Sequence, residues 1–83
     1  MSIEIHPHAR ERMAERGATE NEVVETVETG EKFPAKFGRI GYRHNFSFDG
    51  IWNGRRYNSK QVEAYIAGKG NDLIVVTVFV KYF

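Results

Sequence analysis

The chain has 83 residues, 12 basic and 11 acidic side chains, a net charge of +1 and no cysteine. That length makes one domain over 1–83. The missing cysteine excludes disulfides and thiolate metal sites, and the balanced charge excludes a surface that wraps nucleic acid on every side. The longest apolar run, Leu73 to Val80, is broken by Thr77 and falls far short of the roughly 20 residues of a membrane span. The first residues lack the basic and apolar regions of a signal peptide. The expectation is a cytoplasmic protein with no membrane partner.

In chain order, Pro7 suits a first helical position because it has no N–H to leave unpaired. The helix runs to about Arg16, with Gly17 as its left-handed stop. Ala9 and Met13, four apart, form its apolar stripe with Ile5. Thr19 and Glu22 make a capping box that opens a second helix. Val23, Val24 and Val27 are its buried side and Gly30 its end. From Ile40 to Phe48 the even positions are aromatic, aliphatic or histidine and the odd ones small or polar, the alternation of a half-buried strand. Asp49-Gly50 and Asn53-Gly54 are turn dipeptides, and Trp52 between them is expected to fold back on the core. Lys60 to Ala67 is another strand, with Val62, Ala64 and Ile66 inward and Gln61, Glu63 and Tyr65 outward. Gly68 to Asp72 is a hairpin loop. Leu73 to Phe83 is a last strand, apolar enough to be central and covered on both faces. The expected fold is α+β: an N-terminal helical hairpin on one face of a three- to four-stranded antiparallel sheet.

The run His8-Ala9-Arg10-Glu11-Arg12-Met13-Ala14-Glu15-Arg16-Gly17, the acidic capped helix and the closing strand resemble a bacterial family of small domains of unknown function with an H-A-x-x-R-M-x-E-R-G signature. Arg39, Phe46, Trp52-Asn53-Gly54, Tyr57 and Lys60-Gln61-Val62-Glu63 resemble one branch of it. Ala18 departs from the pattern, which has a larger aliphatic residue there. The helix-helix-sheet order is also similar to RelE/ParE-like and BrnT-type toxins. That resemblance implies a RelE-like fold, a metal-independent ribonuclease or gyrase inhibitor, and an antitoxin partner.

A metal-free ribonuclease needs a base for the 2′-hydroxyl, cations for the phosphate charge and an acid for the leaving oxygen. His8, Arg12 and Arg16 lie four apart on one side of the first helix, and a helix start attracts anions. The leading reading is therefore an endoribonuclease acting on RNA, with His8, Arg12 and Lys60 catalytic and Arg16, Arg39, Arg43 and Gln61 binding substrate. It uses no cofactor. It uses no metal either, since His6 and His8, two apart, point to different sides of a helix. His44 falls on the inward side of its strand and reads as a core histidine. Arg55, Arg56 and Tyr57 pair charge with an aromatic ring, as single-strand binders do. The competing reading is a non-catalytic module that binds protein or nucleic acid through the same basic surface. Either is compatible with a homodimer that hides a sheet edge or the C-terminal aromatics Phe79, Tyr82 and Phe83.

Overall fold

A computed structural model describes residues 2–68 and 71–83. Part of the expected Gly68–Asp72 loop, residues 69 and 70, lies outside them. The elements are β1 (Ser2–Ile5), α1 (Pro7–Arg16), α2 (Glu20–Thr29), β2 (Glu31–Pro34), β3 (Ile40–Trp52), β4 (Arg55–Ala67) and β5 (Asp72–Tyr82). One sheet carries the five strands in the order β1-β5-β4-β3-β2.

Two strands correct the expected fold. β1 precedes the helices and runs parallel to β5, Ile3 opposite Leu73 and Ile5 opposite Val75. β2 adds an antiparallel edge to β3, Glu31 opposite Arg43. The sheet is thus five-stranded and mixed, neither three- to four-stranded nor purely antiparallel. The chain order is strand, helix, helix, sheet, so the RelE-like fold, which rested on helix-helix-sheet order, is corrected with it. Both missed strands are four residues long, too short to show a period.

Local chemistry sets both helices. In α1, Pro7 occupies the first turn, and the His6 imidazole caps it by accepting from the His8 N–H. Gly17 closes α1 at φ 82°. In α2, Thr19 and Glu22 form the full reciprocal capping box, with Glu22 Oε1 accepting from the Thr19 N–H at 2.9 Å.

Both helices cover one face of the sheet. Ala9, Met13, Val23 and Val27 pack with Ala18, Val62, Ala64, Ile66, Val75 and Val78 as the buried core. Val75 and Val78 share that face despite odd spacing, because the β4–β5 register shifts where Tyr65 pairs Thr77 and Ile66 pairs Val75. The bulge resets the alternation. β5 is therefore covered on one face only, and Phe79 on the other is 45 % exposed. β3 bends similarly: Asp49-Gly50 is a register shift within the strand, and the turn to β4 is Asn53-Gly54, both at positive φ. Trp52, expected to fold back on the core, instead ends β3 and stacks on Tyr82 at 5.0 Å and 14°, outside the cluster of residues packed on the core.

Candidate functional site

The sheet face turned away from the helices carries the odd positions of β2, β3 and β4. Phe33 and Tyr65 meet edge to face at 5.8 Å, and Tyr65 and Phe79 at 5.5 Å. These three rings form a row across four strands. Gly41 makes room for it, because a Cβ there would collide with the Phe33 ring. Cations cover both ends: Arg43 lies over Phe33 at 4.8 Å and Arg16 over Phe79 at 4.5 Å. Such contacts contribute about 0.5–1 kcal/mol each at exposed positions.

Beside the row lies a groove of about 540 Å³, walled by the three rings, Pro34, Ala35, Thr77 and the turn residues Lys36, Phe37 and Arg39. This is the size of a small-molecule or single-base pocket. The Tyr65 hydroxyl donates to Glu63 Oε1 at 3.1 Å. Burial first, then the Glu63 carboxylate, raises the Tyr65 pKa above its ordinary 10.0. Glu31 and Arg43 hold each other at 3.0 Å. Gln61 donates to Asn45 at 3.0 Å on the same face.

The residues expected at a site divide in two. Arg16, Arg39, Arg43 and Gln61, expected to bind substrate, all border the open face. His8, Arg12 and Lys60, expected to be catalytic, do not gather. His8 is exposed at the start of α1. Arg12 pairs with both carboxylate oxygens of Glu15 at 3.1 Å. Lys60 is 4 % exposed. It donates to the Gly17 carbonyl at 2.7 Å and pairs with Glu22 at 2.8 Å, beneath the Phe48 and Tyr82 rings. His8 and Lys60 thus stand at opposite ends of α1, about 13 Å apart at helical rise. Lys60 pairs Phe46 and Ile66 pairs Ile40, so Lys60 and Arg39 are separated by roughly 20 Å of strand. His44 faces the helices, 3.6 Å from Glu25 and edge-on to Phe46.

Sequence reasoning missed Phe33, Phe37 and Phe79 as parts of a site. Tyr65 was legible as an outward aromatic, and outward aromatics on a strand's polar side are the signal that finds this face. Among the described residues, no three His, Asp or Glu side chains cluster as a metal site, and no helix is long and apolar enough to cross a membrane.

Two helices layered on one face of a mixed sheet, with an aromatic row and flanking cations on the other, define a small α+β domain with one open face. The chain belongs to the family described as domain of unknown function DUF4258, whose model matches residues 5–80. No curated protein and no solved structure matched it.

Proposed function

We propose that the protein is a non-catalytic module that binds unpaired nucleic acid on the open sheet face. One observation carries this reading: the row Phe33–Tyr65–Phe79 ends under a guanidinium at each side, with Lys36 and Arg39 on the rim of its groove. Every base has a π-face, so an aromatic row holds bases with little regard to sequence, while arginines take the phosphates. The exposed glutamates Glu20, Glu25 and Glu28 sit on α2, in the layer behind the sheet. Glu20 is paired with Arg10 at 2.7 Å, which leaves Glu25 and Glu28 to disfavour a polyanion on that side.

Affinity for a short unpaired RNA is expected to fall about 20-fold between 50 and 200 mM salt, the slope for roughly three phosphate contacts. Tyr65→Ala or Phe79→Ala lowers affinity by roughly 5- to 100-fold. Fluorescence anisotropy reads both. Absence of binding at low salt, or binding untouched by either variant, contradicts the proposal.

The ribonuclease reading requires a base and cations on one phosphate, and here His8 and Lys60 lie at opposite ends of α1, with Lys60 buried. The same RNA incubated in EDTA is therefore expected to stay intact. Cleavage that disappears in His8→Ala and Arg12→Ala would replace the binding reading with the enzymatic one.

A further inference from the structure

Phe37 is 93 % exposed, the largest exposure among the exposed large hydrophobic residues, and sits at φ 61°, ψ 33° in the tight turn Lys36–Gly38. Both features are unfavourable alone. A bulky side chain in the left-handed region is an outlier that costs roughly 1–3 kcal/mol. A phenyl left in water forgoes the burial that normally fixes aromatic positions. The turn is nevertheless pinned at both ends: the Ala35 N–H donates to the Arg39 carbonyl at 2.9 Å, and the Arg39 N–H to the Lys36 carbonyl at 3.3 Å. Gly38, next in the chain, also has positive φ and open space around it, so the turn uses two consecutive left-handed positions and only the second is a glycine. The first holds a phenylalanine, between two cations, on the wall of the groove that faces Tyr65 and Phe79.

We infer that Phe37 is a stacking finger: it closes on a nucleobase that enters the groove and holds it against the sheet's aromatic row, while Lys36 and Arg39 take the adjoining phosphates. This rests on the nucleic-acid reading above and adds the element that grips. The ligand class is an unpaired strand with at least one base turned out of its stack, because a paired base exposes no face to the finger. Strain at the finger is kept where a ring must project from a short rigid turn, and it is offset in the complex by the stacking contact.

The test uses a short unpaired RNA carrying one 2-aminopurine, whose emission falls on stacking, and a terminal dye for anisotropy. Wild type, Phe37→Gly and Phe37→Trp are compared. Phe37→Gly removes the ring and relieves the backbone, so its melting temperature should stay level or rise while its affinity falls roughly 5- to 100-fold and quenching is lost. Phe37→Trp should keep both affinity and quenching. If wild type binds and Phe37→Gly binds and quenches equally, the finger is overturned while the sheet-face reading stands. If wild type itself does not bind, the sheet-face reading fails.

Discussion

Lys60 is a cation used for architecture. Its ammonium satisfies the Gly17 carbonyl, left open at the end of α1, and the same Glu22 oxygen that caps α2. One side chain thereby ties both helix ends to the sheet. Removing one partner of a buried pair leaves the other unmatched; because Glu22 is about one-fifth exposed, Lys60→Met is expected to cost about 2–3 kcal/mol, read by urea denaturation. An unchanged midpoint would contradict this role. Tyr82 does a related job, its hydroxyl donating to the Arg16 carbonyl at 2.9 Å. Burial, and then Glu22, raises its pKa above 10.0. A raised folded pKa gives stability that is complete below 10 and is lost as pH rises through the folded value. Stability is thus expected to drop in strong alkali, and Tyr82→Phe should show a smaller drop, leaving the share of Tyr65. An equal drop in wild type and variant would contradict the assignment. The sequence displayed Lys60 as a cation at a strand start, but burial under Phe48 and Tyr82 depends on register with β5, which no local pattern encodes.

At the scale of elements, the two helices were legible because their signals are local: Pro7, Gly17, Thr19 and Glu22 act within one turn of where they stand. β3 and β4 were legible as alternation, though β4 starts at Arg55, and β5 as a continuous apolar run, whose inward set is displaced by one bulge. β1 and β2 were not, since each exists only by pairing with a distant strand. The open edge of β5 follows from β1 being short. β1 covers only Asp72–Val75, and with Phe83 and Ser59 exchanging both backbone bonds, alternation turns the groups of Val78, Val80 and Tyr82 outward. Arg16 occupies this edge, donating to the Val78 carbonyl at 2.7 Å while covering Phe79. Such blocking protects an edge from pairing with another chain. Arg16→Ala is expected to associate with rising concentration in size-exclusion chromatography, where wild type elutes unchanged; identical profiles would contradict the blocking role.

Across the whole molecule, the aromatic rings rather than the charges are sorted by layer: Glu31 and Glu63 share the open face with Arg43, and Arg10 and Arg12 share the helix layer with the glutamates. The acidic helix α2 lies on one side of the sheet, and the rings of Phe33, Tyr65 and Phe79, with their cations, lie on the other. The basic residues were visible in the sequence; their convergence was not, because it takes four strands in register and a glycine at 41 to assemble the row. The central claim is that this face receives unpaired nucleic acid. An NMR titration of ¹⁵N-labelled protein with a short unpaired RNA tests it most directly. Shift changes are predicted at Phe33, Phe37, Arg39, Tyr65 and Phe79, with α2 silent. Changes centred on His8 and Arg12 instead, or none at any residue, would contradict it.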